Sequence, residues 1–252
     1  MPYYTRDKYR LYYYIEGKGQ PVVFIHGYLG SSMSHWGKQL ENREFSTQFQ
    51  LIAPDLRGFA QSSIGKRVEK HKTEDHILDI RTLLVDELKL EKNPIFVGYS
   101  VGGTLALMYT IRYPGSTQAI VLVSPRPFLH KSTRAWNILA KEKRTGKKKS
   151  IFISFLWGIV KRFQKFISYI YTKRQLGKSQ DYLQQLEELD IPILMLYGNK
   201  DTVNPSIAFE ILKKNLPQAQ IIEFDGDHGI THEHYEEFNQ ILLNFLNENK
   251  IS

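Results

Sequence analysis

Cysteine is absent from the 252 residues. That excludes disulfides, thiolate catalysis and zinc–thiolate sites. Long apolar runs are also missing: the longest, residues 151–160, is too short to span a bilayer. The opening stretch, MPYYTRDKYRLYYYIEGKG, lacks the basic-then-apolar pattern of a signal peptide. A cytoplasmic protein is therefore expected. Neither low-complexity tracts nor internal repeats occur. Acidic residues are scarce in one place. Residues 125–180 hold 15 Lys and Arg against the single acid Glu142, whereas the remainder holds 19 Lys and Arg against 25 acids. The middle segment thus carries a task distinct from its flanks. The choice lies between a solvated basic face and attraction to an anionic surface or substrate.

What is present is ordinary for a globular chain: 42% hydrophobic and 24% charged residues. The length suits one large α/β domain, or a domain with an insertion. Short β-branched or aromatic runs at 11–15, 22–25, 50–53, 95–97, 119–123, 193–196 and 220–224 read as strands. Helical patterns at 74–90, 100–113, 205–216 and 234–246 fall between most of them. This alternation predicts βαβ units and a mostly parallel sheet covered on both faces. The Tyr-rich opening run and 11–15 form a candidate antiparallel hairpin at the sheet edge. The alternation breaks over 125–190, which reads as a helical insertion between two strands. The expected organisation is a core of 1–124 and 191–252 with a cap or lid of 125–190. Insertions at the carboxyl end of a parallel sheet lie over its binding crevice.

The strongest chemical signal is IFVGYSVGG, in which Gly98, Tyr99, Ser100, Val101 and Gly102 form G-x-S-x-G between a strand and a helix. Such a serine sits on a tight turn that lifts its Oγ above the sheet. Gly98 and Gly102 remove side chains that would collide across the turn, and Gly103 suits close helix–strand packing. A serine nucleophile needs a base held by an acid, and in strand–serine–helix sites of this kind the chain order is serine, acid, histidine. Asp201, in ILMLYGNKD, follows a buried strand and is the acid candidate; it also reads as a cap for the helix near Pro205. The preceding strand ends VLVSP, and Ser124 cannot be an acid. His228, in FDGDHGITHEH, is the base candidate. His232 and His234 are rivals, nearer the last helix. The spacing H-x3-H-x-H also admits a metal reading, but no HExxH pattern or acidic partner set accompanies it.

In VVFIHGYLGSS, His26 and Gly27 end a buried strand. Acyl transfer needs two N–H donors aimed at the developing oxyanion. Val101, just after the nucleophile, and Tyr28, in this loop, are the candidates; an ordinary glycine turn is the alternative.

His26-Gly27, Asp55-Leu56-Arg57-Gly58, GYSVGG, GNKD and GDHG together resemble the α/β-hydrolase superfamily, in its order and over nearly the whole chain outside the insertion. The resemblance implies the α/β-hydrolase fold, a triad of Ser100, Asp201 and His228, an oxyanion hole at Tyr28 and Val101, and no cofactor. Ala60 is a mild departure in the loop after Gly58, affecting packing more than chemistry. Ser100 argues against the epoxide hydrolase and haloalkane dehalogenase branches, which use aspartate. Val101 replaces the tryptophan typical of proline iminopeptidases. Thr104 replaces the arginine typical of a C–C lyase of menaquinone synthesis. Serine esterases, lipases and thioesterases remain, with a small-molecule ester of apolar or amphipathic acyl group as the expected substrate. The lyase, with Arg126 and His130 as cationic candidates, and a low-turnover binding protein stay as rivals.

Within the insertion, Ser154, Gly158, Lys161, Lys165, Ser168 and Thr172 form a narrow polar stripe on an otherwise apolar and aromatic segment, 151–172. It can pack on both sides, wall an acyl pocket, or rest on an anionic membrane with KEKRTGKKKS as electrostatic aid. Gly158 or the run 144–150 would split it into more than one helix. No nucleic-acid-binding motif accompanies the basic run, so a nucleic-acid partner is not expected.

Overall fold

The computed structural model describes residues 2–28, 30–62, 73–126, 183–204 and 206–250. The expected lid helix at 151–172, its breakers, and most of the 125–190 insertion lie outside the described residues.

The strands are β1 (Tyr3–Arg6), β2 (Tyr9–Glu16), β3 (Gln20–Ile25), β4 (Phe49–Pro54), β5 (Ile95–Tyr99), β6 (Ala119–Val123), β7 (Ile193–Gly198) and β8 (Gln220–Phe224). They form an eight-stranded sheet in the order β1-β2-β4-β3-β5-β6-β7-β8. The pairings from β4 through β3 to β8 are parallel. β1 and β2 are the expected antiparallel hairpin, and β2 runs antiparallel to β4. This is the α/β-hydrolase fold.

Each central strand is apolar on both sides because both faces are covered. Val23, Ile25, Phe96, Ile120 and Leu122 join a core on one face. It is completed by α3 (Thr73–Arg81), α4 (Val101–Arg112) and α6 (Ser206–Asn215), through Ile77, Ile80, Leu105, Tyr109, Phe209 and Leu212. Val22, Phe24, Ile95, Val97, Val121 and Val123, the alternate residues, join a second core on the other face. There α1 (Ser32–Leu40) and α8 (Tyr235–Glu248) contribute Trp36, Leu40, Phe238, Leu242 and Leu246. A buried Gln39–Asn239 hydrogen bond of 2.6 Å ties these two helices together.

All seven expected strands are present. The helix expected over 74–90 departs from its pattern midway. After Arg81 it widens to a π-helical turn, Thr82–Glu87, in which Leu88 N–H donates to Leu83 O. The consecutive Leu83 and Leu84 in this turn are both buried in the core. Three short helices had no strong sequence signal: α2 (Arg43–Ser46), α5 (Leu183–Glu187) and α7 (Ile230–Glu233). No helix among the described residues is long and apolar enough to cross a membrane.

Parallel strands share one carboxyl end, so the loops after β3, β5, β6, β7 and β8 converge there. Chain direction across the sheet reverses between β3 and β5, which makes the crevice between their ends the natural ligand site.

Candidate active site

Ser100 stands at the carboxyl end of β5 with φ 52° and ψ −112°. A non-glycine residue there is strained, by about 1–3 kcal/mol, and persists only where its surroundings fix it. They do so here: Ser100 N–H donates to Val123 O at 2.8 Å, and Ser100 O accepts from Gly103 N at 3.1 Å. The two motif glycines are required by contact. A Cβ on Gly98 would lie 2.5 Å from Gly102 O and from Gly103 N, and one on Gly102 would overlap the carbonyl of Ile25. The elbow is therefore pressed against β3, the strand whose loop carries Tyr28. Val101 opens α4, so its N–H has no acceptor within the helix.

Asp201 lies three residues beyond β7 and is buried. Its Oδ1 accepts the backbone N–H groups of Val203 and Asn204, each at 2.8 Å. Its Oδ2 faces His228 Nδ1 at 2.7 Å. The capping-type bonds and the contact with histidine thus coexist: one oxygen folds the loop, the other meets the ring. No hydrogen bond joins Ser100 Oγ to His228 among the described residues. Such bonds commonly tighten only when substrate is bound.

The surroundings of His228 include groups that motif reading passed over. Its carbonyl accepts the Ser124 hydroxyl at 3.0 Å and the Tyr99 hydroxyl at 3.2 Å. Burial, aided by the nearby Asp201 carboxylate, pushes the Tyr99 phenol above its usual range, so it remains a donor. The Tyr99 and His228 rings lie 5.1 Å apart. Asp227 accepts the His228 N–H and the Thr202 N–H, at 2.8 and 2.7 Å, and the Thr202 hydroxyl. Burial alone would raise the Asp227 carboxyl, but these donors outweigh it and hold it below the usual carboxylate range. Asp227 therefore staples the histidine loop to the Asp201 loop. The hint in the sequence was the acid directly before His228, and the serine closing VLVSP.

The rival histidines diverge. His232 Nε2 pairs with Ser34 O at 3.0 Å, and the His234 ring packs 5.4 Å from Phe224.

Two other imidazoles hold the Tyr28 loop. His26 is fully buried; its Nδ1–H donates to Gly27 O and its Nε2 accepts Leu56 N–H, both at 2.8 Å. Accepting from Leu56 requires the neutral ring, and burial lowers the His26 pKa accordingly. From the other side Gly27 N–H donates to His35 Nδ1 at 3.0 Å. Burial first, then the neighbouring His26, His232 and His228, lower the His35 pKa to about 4. Gly27 is clamped at both its N–H and its carbonyl, which fixes the peptide leading into Tyr28. Asp55 is a loop anchor, accepting Ser32 N–H, the Ser32 hydroxyl and Gln61 N–H. Arg57 pairs with Asp79 through Nε–Oδ2 at 2.8 Å. Ala60 adopts φ 42°, a conformation that favours glycine, so its departure costs some backbone strain. Thr104 uses its hydroxyl to hold Arg126 O at 2.7 Å, and His130 lies outside the described residues.

A serine on a strained strand–helix elbow, with a bonded acid–histidine pair on neighbouring loops of a parallel sheet, places the protein among nucleophile-elbow α/β proteins. The alpha/beta hydrolase fold family model matches residues 20–147, and the chain belongs to that family. The AB hydrolase superfamily protein YisY of Bacillus subtilis (strain 168) is 25% identical over 98% of this chain and 100% of its own length. Lipase 3 of Moraxella sp. is 24% identical over 81% of this chain and 70% of its own. A thermophilic esterase from Thermogutta terrifontis superposes with a TM-score of 0.72 at 22% identity, covering 96% of this chain and 95% of the other.

Proposed function

We propose that the protein is a serine hydrolase that cleaves carboxylic esters of apolar or amphipathic acyl groups. The observation that carries the reading is the 2.7 Å Asp201–His228 bond at the sheet end where Ser100 stands on its elbow. Ser100 Oγ attacks the ester carbonyl while His228 Nε2 takes its proton. Asp201 keeps the ring in the tautomer with Nδ1–H and stabilises the imidazolium that forms. The N–H groups of Tyr28 and Val101 hold the oxyanion. His228 returns the proton to the leaving alcohol, and water, activated by the same ring, releases the acid. The lipase and esterase names among similar proteins agree with this chemistry.

A fluorophosphonate probe is expected to label the wild type, and Ser100→Ala to abolish labelling. Hydrolysis of p-nitrophenyl esters across acyl lengths then measures turnover. His228→Ala is expected to cost far more than His232→Ala. Labelling at another residue, or equal losses for the two histidines, would overturn the assignment.

A further inference from the structure

β6 ends on Val123, and the peptide that follows is bonded on both sides. Its carbonyl, Val123 O, accepts the Ser100 N–H at 2.8 Å, and its N–H, from Ser124, donates to Leu196 O of β7 at 2.7 Å. Ser124 sends its remaining polar groups to two further loops. Its carbonyl accepts the Asn204 side-chain amide at 2.9 Å, and its hydroxyl donates to His228 O at 3.0 Å. Asn204 in turn donates its N–H to Asp201 Oδ1. One fully buried residue thus joins the loops that carry Ser100, Asp201 and His228.

This junction has an uncommon backbone. Ser124 has φ 42°, in the left-handed region that a residue with a Cβ disfavours and glycine enters freely. The bonds to Leu196 and Asn204 are made by the main chain, so glycine would keep both without the strain. What serine adds is the hydroxyl, and the hydroxyl is spent on the main chain of the proposed base. Strain that the surroundings hold in place in this way gathers where geometry serves function. The Tyr99 hydroxyl donates to the same carbonyl at 3.2 Å, so His228 O receives two donors, one from the end of β5 and one from the end of β6.

We propose that Ser124 is a positioning residue for the hydrolytic reaction. Its hydroxyl fixes the main chain of His228 relative to Ser100 and Asp201, and it acts on the reaction through His228. The proposal rests on the ester-hydrolase reading above and adds a residue to that site.

The test compares Ser124→Gly with Ser124→Ala. Kinetics on p-nitrophenyl esters give kcat and KM, fluorophosphonate labelling counts active sites, and urea unfolding reports stability. Both variants lose the hydroxyl, and Ser124→Gly also releases the strain. Both are expected to lower kcat per labelled site by roughly threefold to tenfold with KM unchanged, as for one neutral hydrogen bond. Ser124→Gly is expected to unfold at higher urea than Ser124→Ala, so the loss of kcat does not follow stability. Adding Tyr99→Phe to either variant removes the second donor. The combined fall in kcat is then expected to exceed the product of the single falls, because both hydroxyls serve one carbonyl. A combined fall equal to that product would overturn the shared role of the two hydroxyls. Wild-type kcat per labelled site in both variants, or a fall confined to the number of labelled sites, would overturn the positioning role and leave the hydrolase reading standing. Turnover of no ester by the wild type, or labelling away from Ser100, would overturn both.

Discussion

Replacing Asp201 by asparagine separates its two tasks. Oδ1 accepts two backbone N–H groups and needs only an acceptor, which an asparagine carbonyl supplies. Oδ2 accepts from His228 Nδ1 at 2.7 Å and needs to be an anion. In Asp201→Asn the amide NH2 faces the ring and donates. Nδ1 must then be the acceptor, and the proton moves to Nε2, where it can no longer be taken from Ser100. A wrong tautomer of this kind costs on the order of 10⁴ in kcat, or about 5.5 kcal/mol at 1.36 kcal/mol per decade. Stability should change little, because the loop bonds survive. Asp201→Ala removes all three bonds. It leaves the N–H groups of Val203 and Asn204 unanswered, the second in a residue only 2% exposed. At about 1–3 kcal/mol for the buried Asn204 group, and less for Val203, which is exposed, a loss of about 1–4 kcal/mol follows, on top of the loss of activity. Steady-state kinetics on a short p-nitrophenyl ester and urea unfolding separate the two variants. Activity of Asp201→Asn within tenfold of wild type would refute the orienting role, and equal stabilities of the two variants would refute the account of the loop.

Gly102→Ala is expected to destabilise by roughly 2–4 kcal/mol, since its Cβ overlaps the Ile25 carbonyl and neither strand nor elbow can yield; urea unfolding measures it, and a neutral result would refute the packing argument. His35 has a folded pKa of about 4 against about 6.5 when unfolded, so the unfolded chain binds the extra proton between those values. Its contribution is therefore present above about pH 6.5 and lost as pH falls towards 4, by at most about 3 kcal/mol and less after screening, since the ring is half-buried. His35→Asn, which offers Gly27 an uncharged acceptor, is expected to flatten the stability profile in that window. Asp79→Ala removes the main partner of buried Arg57, leaving it the exposed Asp7 carboxylate at 3.9 Å, and is expected to cost about 3–5 kcal/mol by thermal or urea unfolding; a change below 1 kcal/mol would refute the pairing argument.

Strand-level features were the most legible. Buried parallel strands are short continuous apolar runs, so β3, β5, β6 and β7 announce themselves by composition, and their order along the chain dictates which loops share one sheet end. Gly98 and Gly102 were legible because close backbone approach leaves glycine as the residue that fits. Ser124 and Asp227 were not. Each acts through ordinary hydrogen bonds to His228, and a serine ending a strand or an acid in a turn has many equally common uses. The clamp of His35 on Gly27 N–H was hidden for the same reason: the spacing of eight residues means nothing until α1 folds back over the loop. The π-helical turn escaped because paired leucines at 83 and 84 also suit a regular helix.

Those hidden contacts explain how the proposed base, on a long loop, can be held to a working geometry. His228 follows β8 at the sheet edge, several strands from Ser100. Its ring is bonded from the β7 loop through Asp201, its N–H through Asp227, and its carbonyl from the ends of β5 and β6 through Tyr99 and Ser124. Three strand ends thus constrain one residue, and each supplies a different group. Tyr99 matters most for coupling, because it is also the neighbour of Ser100 and packs 4.7 Å from the His35 ring. Ser100, His228 and the clamp on the Tyr28 loop meet at that one side chain. Tyr99→Phe keeps the packing and removes only the hydroxyl, so a modest fall in kcat with unchanged KM is expected, of roughly threefold to tenfold for one neutral hydrogen bond. A rise in KM with unchanged kcat would mean instead that the hydroxyl shapes substrate binding and that His228 is held without it.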